Sequence, residues 1–578
     1  MNYATATIQT SGQIALPAWR SRVLFVLLLT GLVFLLVRAV YLQGIHNEFL
    51  QQKGDARYGR VVEIHAHRGM ITDRNGEPLA VSTPVESVWA SPGDVEISPA
   101  QISQLAQIVG LPAQEVKSKL TDTSREFVYI KRQLPPEQAA KVVKLDIPGV
   151  SLQREYRRYY PGGEVTSHLI GFTDVDDNGQ EGIELALQAQ LGGKAGSQQV
   201  IKDRRGFIVE DVGSVHAPKA GGDVALSIDS KIQSLAFREI KLAVEKHKAK
   251  NGSIVVLDAK TGEVLALANW PSYNPNNRDK PSVSVLRNRA VTDEYEPGST
   301  MKPFTIATAL DVGTIKPTTV INTAGGVFTV SGRTIHDTHP DHALTITQII
   351  QKSSNVGAAK IALSLPPETL WKRLSEDGFG SPTGSDFPGE AEGKLRDYKK
   401  WRPIDQATIA YGNCISVNLL QLARAYTVFA NNGELLPITL LKQDIPPVGE
   451  KVYSDATAQE VRDMMEAVVR PGGTAPLAQI IGYRVAGKTG TAHKLENGKY
   501  VDRYIASFVG MAPASNPRLI IAVKINEPSG RDYYGGEVAA PVFSNVMAGA
   551  LQLLSVPNDA PLNNVLQPSP ADLIPEDV

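Results

Sequence analysis

Hydrophobic positions are distributed unevenly along the chain. From Val23 to Val37 every residue is apolar except Thr30 and Gly31, and after Arg38 the run resumes with Ala39, Val40, Tyr41 and Leu42. Residues 23–42 supply about the 20 apolar positions that a helix needs to cross a bilayer. Arg38 lies near enough to the end of the run to carry its guanidinium to the interface. The run exceeds the core of a signal peptide, and bulky Val40-Tyr41-Leu42 stands where a cleavage site needs small residues, so an uncleaved anchor is expected. Positive charges on both flanks leave its orientation open.

After the anchor the pattern is mixed. Glu63 to Asp73 reads as a strand entering a turn, Asn75-Gly76 as a hairpin signal and Leu79-Ala80-Val81 as the return strand. Pro135 to Lys144 predicts a short helix, and Ala186 to Leu191 another. Beyond residue 216 the periods are clearer. Asp223 to Asp229 alternates like a strand. Lys231 to His247 places Ile232, Leu235, Ala236, Ile240 and Val244 on one helical face. Ser253–Asp258 and Val264–Ala268 flank the turn Lys260-Thr261-Gly262. Helical segments dominate to about residue 470, strands return at 484–488, 505–511 and 519–524, and Pro541 to Leu554 closes as a helix. Strands at both ends with helices between predict one sheet assembled from distant pieces and covered by helices. Five prolines after residue 556 predict a disordered tail.

Composition narrows the classes. The chain has 578 residues, with 59 Lys+Arg against 60 Asp+Glu, so its formal net charge is −1. That balance excludes the chain-wide basic field that gathers nucleic acid. The single cysteine, Cys414, excludes an internal disulfide and Cys-x-x-Cys chemistry. It is expected to pack as a small neutral side chain.

Three short patterns carry candidate chemistry. In Glu296-Pro-Gly-Ser299-Thr-Met-Lys302, a helix starting near Ser299 puts Ser299 and Lys302 on one face. A serine hydroxyl needs a base beside it to act as a nucleophile, and a desolvated lysine can be that base. Lys352-Ser353-Ser354-Asn355 precedes an apolar helix, so Ser353 and Asn355 fall at a loop-to-helix boundary. In Arg484-Val-Ala-Gly-Lys488-Thr489-Gly490-Thr491, strand alternation puts Lys488 and Gly490 on one face, and Gly490 lets another backbone approach. Each pattern alone is commonplace: a capped helix, a capping sequence, a strand ending in a turn. Their order, Ser-x-x-Lys, Ser-x-Asn, Lys-Thr-Gly, is that of penicillin-recognising acyl-serine enzymes.

The chain thereby resembles a class B penicillin-binding protein, most closely the FtsI-type division transpeptidases of Gram-negative bacteria. Arg68-Gly-Met-Ile-Thr-Asp-Arg-Asn-Gly76, Arg158-Tyr-Tyr-Pro-Gly162 and Gly182-Ile-Glu184 resemble the three signatures of the family's N-terminal pedestal. Tyr533 to Phe543 resembles its late strand-to-helix turn beside the cleft. The resemblance implies an α/β (α+β) transpeptidase fold, with an antiparallel sheet covered by helices, behind one transmembrane helix and an α+β pedestal. The expected organisation is a cytoplasmic tail (1–22), an anchor (23–42), a pedestal of dimerisation type (43–215), a transpeptidase domain (216–557) and a tail (558–578). It also implies an inner-membrane protein with a cytoplasmic N-terminus and a periplasmic catalytic domain.

The resemblance implies, further, a serine-type D-Ala-D-Ala transpeptidase that cross-links septal peptidoglycan and is acylated by β-lactams. Ser299 would be the nucleophile and Lys302 the base. Ser353 and Lys488 would relay a proton, and Asn355 would hold the donor amide. Thr489, Gly490 and Thr491 would form the carboxylate-binding strand, and Tyr533 and Tyr534 would wall the cleft. The chemistry needs no cofactor and no metal. Implied partners are peptidoglycan stem peptides, β-lactams, the membrane, an FtsW-type glycosyltransferase and other division proteins, with no nucleic acid. An elongation-type transpeptidase, a membrane-anchored β-lactam sensor and a β-lactamase-like enzyme stay open as alternatives.

Three other patterns are set aside. Asp174 to Gly179 opens like a calcium loop, but Leu185 stands where the twelfth-position Glu is required. His336, His339 and His342 are spaced by three, but Pro340 prevents one helix from carrying them. Tyr411-Gly412-Asn413 is similar to a motif of some serine β-lactamases, yet lies far from Ser299 in sequence, and reads as coincidence.

Overall fold

The computed structural model describes residues 18–45, 59–202, 208–277, 282–496, 498–530 and 532–566. Ala18–Val40 forms one continuous helix with no buried residue. Among the described residues it is the one helix long and apolar enough to span a membrane. It starts at Ala18, five residues before the apolar run. Thr30 satisfies its hydroxyl within the helix by donating to the Val26 carbonyl at 2.7 Å.

The chain forms two compact units that do not follow chain order. One is drawn from residues 1–65, 85–155 and 195–218. In it, Gly59–Ile64, Gly196–Lys202 and Ile208–His216 make a three-stranded antiparallel sheet. Helices Pro99–Val109 and Ala113–Thr121 bury Leu105, Val109, Val116 and Leu120 with Ile130 of strand Val128–Leu134. The helix expected at 135–144 is there, as Pro136–Val143.

The other unit is drawn from residues 66–84, 156–194 and 219–578. Its polar keystone joins the three N-terminal signatures. Glu184 accepts from Arg68 Nε and from Arg158 Nε, both at 2.6 Å, and all three side chains are fully buried. Arg68 also donates to the Glu184 carbonyl at 2.8 Å. Buried charges survive only when paired and hydrogen-bonded, which is why residues so far apart in sequence converge here. The Asn75-Gly76 hairpin is present, pairing Ile71 with Ala80. The strand expected at 223–229 shrinks to Val224–Ala225, paired in parallel with Ile71–Thr72.

The large sheet of this unit has five strands: β1 (Asn251–Asp258), β2 (Val264–Trp270), β3 (Ala486–Glu496), β4 (Lys499–Ala512) and β5 (Leu519–Asn526). Their spatial order is β2-β1-β5-β4-β3, antiparallel throughout. The first and last parts of the unit thus meet at the β1–β5 junction, as the distribution of strand patterns predicts. Helices α1 (Ser230–Lys246) and α5 (Ala540–Leu553) cover one face. Asp229 caps α1 by accepting from the Lys231 and Ile232 amides, an interaction worth about 1 kcal/mol. Phe508 and Phe543 pack ring to ring at 4.7 Å between sheet and α5. Helix Leu419–Ala425 packs on β1 and β5, α4 (Asp455–Val469) packs on β3, and α2 (Lys302–Asp311) packs in turn on α3 (Asn355–Leu363) and α4.

Residues 558–566, where composition predicts the start of a disordered tail, are tied to the fold. Asp559 accepts from the amides of Arg484 and Ser515, and Asn564 bonds the backbone of Ile480, Gly482 and Tyr483. Short Asp and Asn side chains satisfy turn amides and carbonyls, which overrides the proline-rich composition. Residues 567–578 and 1–17 of the expected tails lie outside the described residues.

Candidate active site

Ser299 sits in a single 3-10 turn, Gly298–Met301, which runs directly into α2 at Lys302. The turn is held from several sides. Tyr426 donates to the Thr300 carbonyl at 2.8 Å, and Thr300 donates to the Pro297 carbonyl at 2.8 Å. Phe304, one turn on, is buried against the rings of Phe379, Tyr426 and Phe429 at 5.0 to 5.4 Å. These contacts fix the start of α2, and with it the position of Lys302 relative to Ser299.

Ser353 lies between Gln351 and α3 with φ +64°, a left-handed conformation that a non-glycine residue adopts at a cost. The conformation turns the Ser353 hydroxyl and carbonyl toward Lys302. Ser354 caps α3 by accepting from the Gly357 amide. Asp337 braces the same point, accepting from Ser354 Oγ and from the Val356 amide. Asn355, the first residue of α3, is buried beside them.

Lys488 lies on the same face of β3 as Gly490, as strand alternation predicts, and in the structure that face looks toward the nucleophile. Lys494 and Glu496 extend the strand beyond the turn that the sequence suggests after Thr491. Gly490 is required by space: a Cβ there would lie 2.6 Å from Ser507 Oγ and 2.8 Å from the Pro297 carbonyl oxygen.

These elements bring the three motifs together. Lys302 Nζ is 2.9 Å from Ser299 Oγ and 2.9 Å from Ser353 Oγ. Lys488 Nζ is also 2.9 Å from Ser353 Oγ. Lys302 donates in addition to the Ser353 carbonyl. The result is an unbroken chain, Ser299–Lys302–Ser353–Lys488, whose two lysines are fully buried. The lysine nitrogens share one hydroxyl and so lie no more than about 6 Å apart. At an effective dielectric constant of about 20, two positive charges at that distance repel by about 3 kcal/mol. Burial and this repulsion both favour one neutral lysine in the pair, which is what a base beside a serine requires.

The remaining candidates are placed as follows. Thr489 Oγ1 is within 2.8 Å of Thr474 Oγ1 and accepts from Lys488 at 3.0 Å. Thr491 Oγ1 accepts from the Gly535 amide at 2.9 Å. Tyr533 stacks on Tyr504 at 4.3 Å and donates to the Tyr534 hydroxyl at 3.1 Å. A cavity of about 210 Å³ opens directly at Ser299. Its wall includes Asn355, Thr491, Tyr411, Asn413 and Tyr500, and does not include Tyr533 or Tyr534.

Tyr411-Gly412-Asn413, which the sequence alone leaves as a coincidence, therefore forms part of the cleft. Gly412 has φ +87° and lies against the backbone of Gly298, whose amide donates to the Gly412 carbonyl at 3.3 Å. Glu296 ties this segment to β4. It accepts from the Cys414 amide at 2.9 Å and from the Tyr500 hydroxyl at 2.9 Å. Burial raises the Glu296 carboxyl, and these two donors oppose the rise. Asp337, Thr474 and Tyr504 are further contributors that no local pattern marks. Only the contact across the fold identifies them.

The family model of the penicillin-binding protein transpeptidase domain matches residues 252–548, and that of the penicillin-binding protein dimerisation domain matches residues 63–226. The chain belongs to the penicillin-binding protein transpeptidase family. It is 42% identical over 550 residues to the peptidoglycan D,D-transpeptidase FtsI of Escherichia coli, covering 94% of this chain and 93% of that one. It is 43% identical over 557 residues to the probable peptidoglycan D,D-transpeptidase PenA of Neisseria meningitidis, covering 95% and 96%. Among solved structures, the transpeptidase domain of penicillin-binding protein 3 from Burkholderia pseudomallei is 47% identical, with a TM-score of 0.54, over 58% of this chain and 98% of that one. The expected fold and family are thus established, including the antiparallel sheet and the dimerisation module.

Proposed function

We propose that this protein is a septal peptidoglycan D,D-transpeptidase that works through a Ser299 acyl-enzyme. The observation that carries the mechanism is the run of 2.9 Å contacts from Ser299 through Lys302 and Ser353 to Lys488. Neutral Lys302 accepts the Ser299 proton as Oγ attacks the carbonyl carbon of the penultimate D-Ala of a donor stem peptide. The carbonyl oxygen becomes an oxyanion, held by the backbone amides of Ser299 and Thr491, each such donor worth roughly 3 kcal/mol in the transition state. The C–N bond then breaks, and the proton reaches the departing D-Ala amine through Ser353, with Lys488 holding that hydroxyl in line. An acceptor-stem amine next attacks the ester. It loses its proton to Lys302, and Ser299 takes a proton back as the cross-link is released. Asn355 holds the donor amide. Thr489, Gly490 and Thr491 hold its terminal carboxylate in the field of Lys488, and Tyr533 and Tyr534 border the approach.

A β-lactam presents a strained amide beside a carboxylate and enters the first half of the same sequence. Glycan polymerisation falls to a partner of the FtsW type, met by the Ala18–Val40 helix within the inner membrane. The N-terminus is cytoplasmic and the catalytic domain is periplasmic. The septal assignment is favoured over elongation by 42% identity over 550 residues to a chain named FtsI.

Labelled benzylpenicillin is expected to mark the protein covalently, and Ser299→Ala to abolish the mark with unfolding unchanged. Label retained in that variant would remove Ser299 from the nucleophile role. Filamentation on depletion would support the septal role, whereas rounding into spheres would replace it with elongation.

A further inference from the structure

Lys524 is an unusual residue for the centre of a sheet. It lies on β5, inside the fold, with only 3% of its surface exposed. Strand registers place it in a polar row that crosses all five strands: Gly490, Ser507, Lys524, Ser253 and Asn269. The row faces the segment that carries the nucleophile, since the missing Cβ of Gly490 points at Pro297 and Thr300. Its other polar side chains are satisfied. Ser507 donates to the Gly490 carbonyl at 3.2 Å, and Ser253 donates to Asn269 at 2.8 Å.

Lys524 is different. No hydrogen bond or ion pair reaches its ammonium group among the described residues. The ring of Tyr295 covers one side, 4.8 Å from Nζ. The side chain lines a cavity of about 420 Å³, separate from the one at Ser299. Arg287, Arg289, Lys250 and Lys494 line it too. The nearby carboxylates are committed elsewhere: Asp293 pairs Arg287 at 2.7 Å and Arg289 at 3.3 Å. Glu527 pairs Lys250 and Lys494, and Glu294 accepts from Ser416. Glu496 also pairs Lys494, at 3.1 Å. Of the five cations, Lys524 is the one with no carboxylate partner among the described residues, and it is the most deeply buried.

We propose that this cavity is an anion-binding site, distinct from the transpeptidase cleft, in which Lys524 Nζ receives a small oxyanion, a phosphate or a carboxylate. A buried ammonium without an anion is expensive, and an oxyanion seated on it gains a charge-assisted hydrogen bond in a site of low dielectric. Burial pushes Lys524 down to about 8, so it is still mainly charged at neutral pH. Arg287 and Arg289 bring planar guanidinium groups that suit either oxyanion. The proposal does not depend on the acyl-transfer mechanism, because none of these residues belongs to the Ser299–Lys488 chain.

Titration calorimetry on the full chain in detergent, with inorganic phosphate in one arm and glutarate in the other, tests it. Saturable one-site binding is expected for at least one probe, weakened at least tenfold by Lys524→Met and also weakened by Arg287→Gln. The preferred probe identifies the oxyanion as phosphate or carboxylate. Arg287 is exposed, so its variant separates loss of binding from misfolding, and benzylpenicillin acylation at the wild-type rate confirms an intact fold in both. Absence of saturable binding up to about 10 mM for both probes overturns the proposal. So does binding that is unchanged in folded Lys524→Met and in Arg287→Gln.

Discussion

Gly412→Ala places a methyl group where the backbone of the nucleophile turn already stands. The added Cβ would lie 2.1 Å from the Gly298 carbonyl oxygen and 2.5 Å from the Gly298 nitrogen. Contacts with a Cβ do not fall below 3.0 Å, so the two segments must separate by about 1 Å. Gly298 immediately precedes Ser299, and the displacement passes to the hydroxyl. A 1 Å error in the position of a reacting group costs about a hundredfold in rate. A second cost of about 1–2 kcal/mol arises because φ at Gly412 is +87°, which disfavours any side chain. Gly384→Ala separates the two effects: φ there is +77°, and nothing lies within 4 Å of the new Cβ. Stopped-flow acylation by a fluorescent penicillin, with thermal unfolding of each variant, provides the comparison. The expected result is a loss of about a hundredfold in Gly412→Ala and an unchanged acylation rate in Gly384→Ala, with both unfolding at lower temperature. Acylation of Gly412→Ala within threefold of wild type would refute the idea that this contact sets the position of Ser299.

Two other substitutions probe the polar interior. Glu184→Gln leaves buried Arg68 and Arg158 without their shared carboxylate and should cost about 3–5 kcal/mol; an unshifted urea midpoint would show that the network is not holding these segments. Burial pushes the Asp177 carboxyl up to about 6, from 3.8 in the unfolded chain. The native state then holds this proton more tightly, so its contribution to stability is present below pH 4 and is lost as pH rises through 6. Asp177→Asn, at a left-handed position that Asn tolerates, should therefore stabilise at pH 7.5 by about 3 kcal/mol and lose that advantage by pH 4. Equal unfolding temperatures for the two proteins at pH 7.5 would contradict the assignment.

Local pattern was sufficient wherever a feature is made by neighbours in sequence. The apolar run at 23–42 specifies a membrane-length helix because a helix in lipid needs only length and apolarity. The period of α1, the Lys260–Gly262 turn and the closing helix α5 are likewise set by side chains within a few residues of one another. The order of Ser299–Lys302, Ser353–Asn355 and Lys488–Gly490 indicates acyl-serine chemistry because that chemistry constrains short spacings.

Other features depend on groups far apart in the chain, and only the folded structure decides them. Tyr411, Gly412 and Asn413 look incidental in sequence. They reach the cleft because Gly412 can lie against Gly298, a contact governed by the absence of a Cβ and invisible to any local period. Residues 558–566 read as a tail by their prolines, yet Asp559 and Asn564 satisfy turn groups between residues 480 and 515. Lys524 reads as an ordinary strand lysine, since alternation cannot tell that both faces of β5 are covered. Its burial, the unpaired ammonium and the cations around it follow from packing β5 between β1 and β4 beneath the segment that leads to Ser299. Hydrophobic periodicity and short motifs are thus written locally, whereas burial, electrostatic balance and close backbone approach belong to the assembled fold.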